Sequence, residues 1–207
     1  MAQYFHIHPQ NPQTRLIKQA AQIVRSGGLI AYPTDSSYAL GCHLDDKSAV
    51  DRIRKIRRLD RHHNFTLVAS DIKQISQFAK ISNEQYRLIK ALTPGPYTFI
   101  LVAKRLVPNR LVHPKRRTIG VRIPDNIIVH DLVEELAEPI MSSSLILPKQ
   151  TIAMGDPDEI RKELEHKIDL VIDGGGISNQ PSTVIDWHLE RIQILRKGAG
   201  DVSFLEQ

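Results

Sequence analysis

Gly28-Leu29-Ile30-Ala31-Tyr32-Pro33-Thr34-Asp35-Ser36-Ser37-Tyr38-Ala39-Leu40-Gly41-Cys42 is the stretch whose reading decides the fold. The apolar run 29–32 reads as a core strand. Pro33 ends it, because proline has no amide hydrogen to give a ladder. Thr34-Asp35-Ser36-Ser37 then turns the chain into a second apolar run, 38–42. One strand end thus delivers the hydroxyls of Thr34, Ser36 and Ser37, the Asp35 carboxylate and the Tyr38 phenol to one place. Open α/β sheets leave a crevice at such strand ends, which suits a small polar ligand. An ordinary turn capped by Asp35 accounts for the same residues.

Outward from this stretch, helices and strands alternate. Residues 11–25 carry Leu16, Ile17, Ala20, Ile23 and Val24 on one helical face, and Gly27-Gly28 ends that helix. A helix over 48–57 places Val50, Ile53 and Ile56 inward and its arginines outward. A strand follows at 66–69, then a helical turn or two at 72–78. Ser82-Asn83-Glu84-Gln85 is a capping box opening another helix, and Thr93-Pro94-Gly95-Pro96 breaks the chain. Residues 97–103 and 118–123 read as strands, Asp125 as the cap of a further helix, and 140–147 as an apolar strand holding three serines. Asp156-Pro157-Asp158-Glu159 is a helix start; 170–172, 183–187 and 192–195 are strands, the last two joined by a hairpin turn at 188–191. A short hairpin makes its two strands antiparallel, so the sheet is not all-parallel. The expectation is an α/β fold: a single domain over 1–207, a twisted open mixed sheet with flanking helices.

The 207 residues are 41% hydrophobic and 25% charged, enough to bury a sizeable core. No apolar run reaches transmembrane length and no signal peptide is visible, so a cytoplasmic protein without membrane attachment is expected. Cys42 is the only cysteine, which excludes an intrachain disulfide, and its apolar setting reads as a buried structural thiol. The net charge of +5 is unevenly spread. One basic cluster runs from Arg52 through Lys55, Arg57, Arg58 and Arg61 to His63; a second runs from Lys104 to Arg122. Such local excess draws in anions, although two solvated faces would look the same in sequence.

Four polar constellations are candidates for chemistry: the Thr34–Ser37 turn; the run Arg57-Arg58-Leu59-Asp60-Arg61-His62-His63-Asn64; Ser142-Ser143-Ser144 at a strand end; and Pro181-Ser182-Thr183 after the glycine-rich 174–176. Arginine forks match phosphate oxygens bidentately. Serines inside an apolar run need hydrogen-bond partners, from the protein or from a ligand. The glycine-rich loop lacks Walker spacing and opens no helix. His6 and His8 alternate on a strand, but no cluster at ligand spacing accompanies them, so no dedicated metal site is expected; magnesium carried by a nucleotide remains open.

Together these segments resemble the YrdC/YciO-like family over about 18–200. The markers are Ala31-Tyr32-Pro33-Thr34-Asp35 with Tyr38, Gly41 and Cys42; Pro94-Gly95-Pro96-Tyr97-Thr98; Gly120-Val121-Arg122-Ile123-Pro124; Pro181-Ser182-Thr183-Val184-Ile185-Asp186; and Leu195-Arg196-Lys197-Gly198. The resemblance implies a nucleotidyltransferase that makes threonylcarbamoyl-adenylate from threonine, bicarbonate and ATP (with Mg2+) for tRNA modification. It also implies double-stranded RNA or tRNA as a partner. On that basis Thr34, Asp35, Tyr38, Arg122 and Ser142 are the candidate substrate-binding residues. Lys55, Arg61, Thr98, Ser144, Ser182 and Arg196 are the candidate nucleotide-binding residues, and Arg57 and Arg58 the catalytic cations. Stabilising phosphate charge is the main task in such a reaction. Two positions depart from the synthases. Their Lys-x-Arg pair aligns with Arg57-Arg58-Leu59, or with Lys55-Ile56-Arg57 after a two-residue shift. Their Ser-x-Asn reads Ser144-Leu145-Ile146, and Ile146 lacks an amide to bond with. Both departures imply a weak or altered reaction, or binding without turnover. Hydrolysis of an acyl- or carbamoyl-adenylate, with Asp35 orienting water, is a third reading.

Overall fold

In the computed structural model, which describes residues 1–60, 63–189 and 191–205, ten strands hydrogen-bond into one open sheet. They are β1 (Gln3–His6), β2 (Ile30–Tyr32), β3 (Ala39–His43), β4 (Thr66–Val68), β5 (Tyr97–Val102), β6 (Thr118–Arg122), β7 (Ile140–Ser144), β8 (Leu170–Asp173), β9 (Thr183–Asp186) and β10 (Gln193–Arg196). Their spatial order is β1-β8-β2-β3-β7-β4-β6-β5-β9-β10. Parallel pairs (β1/β8, β2/β8, β4/β6, β5/β9) alternate with antiparallel ones, including the β9/β10 hairpin that the sequence predicts. Glu190 of that turn lies outside the described residues. Six α-helices flank the sheet: α1 (Thr14–Arg25), α2 (Lys47–Arg57), α3 (Ile72–Phe78), α4 (Asn83–Leu92), α5 (Ile127–Leu136) and α6 (Pro157–Leu164). This is the mixed α/β architecture expected from the sequence.

Because side chains alternate across a strand, the register assigns every residue to one of two faces. On the first face Leu40, Leu67, Phe99, Val121, Met141 and Ile185 join a large apolar core with Val50 and Ile53 of α2. On the second, α1 and α5 pack together over Ile30, Tyr32, Ala39, Ile140, Leu170 and Ile172. They cover the β1-to-β7 end only. Beyond it, the second face presents Thr66, Gly120, Thr98 and Val184 in register on neighbouring strands. The functional residues stand on this uncovered area.

Several local details differ from the sequence reading. The first helix starts at Thr14 rather than residue 11, because the His8 ring accepts from the amides of Gln10 and Asn11 and holds them in a turn. His8 therefore lies beyond β1 and does not share a strand with His6, whose Nδ1 lies 2.7 Å from Asp173 Oδ2. The cap of α5 is Asn126, whose side chain accepts from the Val129 amide. Asp125 instead gives its own amide to Asp35 at 2.9 Å. Cys42 is buried and its thiol is pushed up to about 12 by desolvation, an inert structural group.

The box at Ser82 is complete: Ser82 Oγ accepts from the Gln85 amide while Gln85 Oε1 accepts from the Ser82 amide at 2.8 Å. Ser82→Ala is expected to lower the unfolding free energy by about 1 kcal/mol in a urea titration, with no change in the denaturant slope.

Candidate functional site

The uncovered face curves into a cavity of about 220 Å3. Hydroxyls of Ser37, Thr66, Thr98, Ser142, Ser144 and Ser182 line it, with Ala39, Val68, Ile100, Val184 and Ile146 between them and Arg57, Arg122 and Arg196 as its cations. Most of these side chains share strand parity: Ser142 pairs with Thr66, Thr66 with Gly120, Ile100 with Gly120, Val184 with Thr98 and Arg196 with Val184. Six strands, β7, β4, β6, β5, β9 and β10, thus supply one wall.

Arg122 is held from below. Its side chain is 7% exposed, and Nη2 donates to Asp35 Oδ1, to Ser36 Oγ at 2.8 Å and to Thr34 Oγ1 at 3.4 Å. The Thr34 hydroxyl donates to the Ser37 carbonyl and accepts from the Ser36 and Ser37 amides. The Thr34–Ser37 turn is therefore the socket of Arg122. Both Asp35 oxygens are used, one by Arg122 and one by the Asp125 amide. The Asp35 carboxylate neutralises a buried cation. The Arg122 Nε hydrogen is buried without a partner among the described residues, a donor left over at the cavity floor.

Arg57 arrives from the opposite layer. The β4/β7 ladder runs only between Thr66–Val68 and Ser142–Ile140. Past that point the backbone pairing ends, and the guanidinium of Arg57 meets the side chains of His63 and Ser143 there. It donates to Ser143 Oγ, lies 3.4 Å from His63 Nε2 and gives Nε to the Ile146 carbonyl at 3.2 Å. Every partner is neutral. Burial, aided by the charge of Arg196, lowers Arg57 to about 10. Arg196 is lowered by burial and by Arg122, and it donates to the Ser182 carbonyl and hydroxyl. Among the described residues neither Arg57 nor Arg196 is ion-paired. Burial and the adjacent Arg57 hold the His63 ring at about 4, so it is uncharged at neutral pH. Thr98 Oγ1 and Ser182 Oγ meet at 2.8 Å, and Tyr32 and Ser142 hydroxyls at 2.6 Å.

The geometry brings together Arg57, Arg122, Ser142, Thr98, Ser144, Ser182 and Arg196, with Thr34 and Asp35 one layer behind. It does not bring Lys55, Arg58 or Tyr38. Residues 55 and 57 lie about 200° apart around a helix, and Arg58 adopts a left-handed cap at φ 52°. Lys55 and Arg58 therefore border a separate open hollow of about 860 Å3, with Arg52, Lys162 and Lys167. Assigning Arg58 to the same hollow as Arg57 is corrected by that cap. The Tyr38 hydroxyl is spent on the glycine loop, donating to the Gly175 carbonyl and accepting from the Gly174 amide. Arg61 lies outside the described residues. His63, Asn64 and Ser143 line the cavity without having been singled out. Their membership in the basic run and the serine triplet was the available signal. Among the described residues no group of three His, Cys, Asp or Glu side chains is placed to hold a metal ion.

Comparison with known proteins gives the lineage. The Sua5/YciO/YrdC family model, whose description is telomere recombination, matches residues 22–198. The chain belongs to this family. It is 50% identical to Escherichia coli strain K12 YciO over 202 residues, covering 98% of each chain. The crystal structure of E. coli YciO superposes with a TM-score of 0.96 over 98% of both chains. A threonylcarbamoyl-AMP synthase of Vibrio vulnificus strain YJ016 is 30% identical over 186 residues, 88% of this chain and 98% of that one. P. abyssi Sua5 complexed with L-threonine superposes with a TM-score of 0.87 at 28% identity, covering 94% of this chain and 57% of that one. The family therefore includes threonylcarbamoyl-AMP synthases. No helix among the described residues is long and apolar enough to cross a membrane.

Removing the Asp35 charge strands a buried guanidinium, an effect of about 3–5 kcal/mol. Asp35→Asn is expected to lower thermal and urea stability on that scale, and Asp35→Asn with Arg122→Met to recover part of it. Equal stabilities for wild type and Asp35→Asn would show that the pair carries no charge balance.

Proposed function

We propose that the protein binds an adenylate-type nucleotide together with an amino acid of the threonine class. On this reading it carries out threonylcarbamoyl-AMP synthase chemistry at a reduced or retuned rate. The observation that carries this reading is the pair of partly buried guanidiniums of Arg57 and Arg196, un-ion-paired among the described residues, over a hydroxyl-lined cavity. Desolvated cations without counter-charges are costly unless an anion joins them. At about 220 Å3 the cavity is smaller than the roughly 300–1,000 Å3 of sites that enclose a whole drug-sized ligand. It suits the amino-acid, carbamate and α-phosphate part, leaving the nucleoside at the mouth near half-exposed Leu195. The synthase and threonine-bound relatives support the substrate class.

In this mechanism the threonine amine attacks the carbon of bicarbonate, and water leaves to give the carbamate. A carbamate oxygen attacks the α-phosphorus of ATP, and pyrophosphate leaves. Arg122, with its spare Nε hydrogen, and Ser142 hold the amino-acid carboxylate. Arg57 and Arg196 offset charge developing on the phosphate, and Thr98, Ser144 and Ser182 orient its oxygens. Magnesium enters on the nucleotide phosphates as part of the substrate. Ile146 places a hydrocarbon where the synthases have an amide, and Lys55 faces the other hollow. Both account for reduced turnover.

Threonine-dependent pyrophosphate release from ATP and bicarbonate is expected, and Ile146→Asn is expected to raise it by roughly tenfold, the effect of one restored hydrogen bond to charge. Arg57→Met should abolish it. No release above background from wild type or Ile146→Asn would sink the catalytic reading. A second reading, RNA binding, is favoured by the hollow where exposed Lys55, Arg58, Lys162 and Lys167 gather. If about four phosphates are neutralised there, log affinity for double-stranded RNA should fall with log salt at a slope of about −3 to −4. Salt-insensitive binding would remove it.

A further inference from the structure

Three groups are in mutual contact where the β4/β7 pairing ends. Arg57 Nη1 bonds Ser143 Oγ and lies 3.4 Å from His63 Nε2, and Ser143 Oγ lies 3.3 Å from the same nitrogen. All three line the cavity on the side that also bears Arg196. A guanidinium only donates, so the tautomer with Nε2 unprotonated is the one that accepts from Arg57. That nitrogen becomes a donor when the ring moves its hydrogen from Nδ1 to Nε2 or takes up a second proton, and only the second route adds the positive charge that two cations and a dianion would call for.

We infer that Arg57, Arg196, Ser143 and His63 form an oxyanion subsite that takes a doubly charged phosphoryl- or sulfuryl-type group together with one proton, carried on His63. The inference deepens the nucleotide reading and rests on it for the identity of the natural ligand only. The charged groups that face His63 are Arg54 and Arg57 on α2 and Asp60 on the segment that follows; Phe65 packs edge-on against the ring. Among the described residues burial and the two arginines outweigh the Asp60 carboxylate, which leaves the ring neutral near pH 7. An incoming dianion reverses this balance. It offsets the charge of Arg57 and presents oxygens to His63 Nε2, and both changes favour imidazolium. A monoanionic carboxylate offsets one arginine and leaves the second, so it draws in the proton less strongly. The subsite thereby discriminates by charge as well as by shape. It also puts a proton donor beside the phosphate oxygens where charge accumulates in phosphoryl transfer.

Sulfate is the probe, because its own charge does not change over the range tested. If the ring returns from about 4 to its ordinary value near 6.5 on binding, sulfate affinity should rise roughly 25-fold between pH 7.5 and pH 5.0. The readouts are calorimetry and imidazole chemical shifts, on wild type and His63→Gln. The expected result is proton uptake of up to one per sulfate as the pH falls toward 5. An imidazole titration midpoint that moves upward with sulfate should accompany it. In His63→Gln, sulfate should still bind with the pH slope removed. Acetate at equal concentration should leave the imidazole midpoint near its free value. Equal pH slopes in wild type and variant, an unmoved midpoint, or no sulfate binding at either pH would overturn the inference. Proton-linked sulfate binding with no response to ATP or threonine would uphold the subsite and count against the nucleotide reading instead.

Discussion

The alternation of side chains across a strand is the constraint on which this molecule depends. A residue on a paired strand has one face available to it, and its neighbours' register decides which residues stand beside it. Here the first face is apolar from β3 to β9 and takes the main core. The second is apolar only where α1 and α5 cover it, and polar where they do not. Thr66, Thr98, Gly120, Arg122, Ser142 and Arg196 on β4, β5, β6, β7 and β10 would be a defect under a helix. On an open concave face they form a wall of donors and acceptors.

Electrostatics then separates the three arginines by role. Arg122 is buried with a carboxylate in direct contact, so its charge is balanced before any ligand arrives. That balance makes it a fixed part of the floor. Arg57 and Arg196 are held by carbonyls, hydroxyls and a neutral imidazole, which orient them without cancelling their charge. Burial lowers the affinity of both for protons, aided by Arg196 at Arg57 and by Arg122 at Arg196. Folding energy spent elsewhere keeps these cations in place, and binding of an anion is the process that relieves them. The end of the β4/β7 ladder matters for the same reason: it admits a helix-borne cation to a face its own helix does not cover.

The motifs carried a large part of this picture. Ser142, Ser144, Ser182, Thr98, Arg122, Arg196 and Arg57 were all nameable from short segments, and they do meet around one cavity. Strand and helix positions were legible because apolar spacing, proline, glycine and capping residues act locally. What failed did so where a neighbour distant in sequence intervened. Asp125 looked like a helix cap, but its amide is taken by Asp35. Asp35 looked available for water, but Arg122 from another strand occupies it. Tyr38 looked like a ligand contact, but the loop around Gly174 claims its hydroxyl.

The sequence alone determined the α/β class, the mixed sheet, the buried thiol and the family, since each follows from patterns within a few residues or from ordered short motifs. It could not decide between Arg57 and Arg58. That choice turns on one left-handed residue ending α2, which aims neighbouring guanidiniums into hollows on different sides. Nor could it assign His63, whose charge state depends on arginines and a serine brought to it by the sheet. Protonation and direction are properties of three-dimensional surroundings, and only the tertiary structure supplies those.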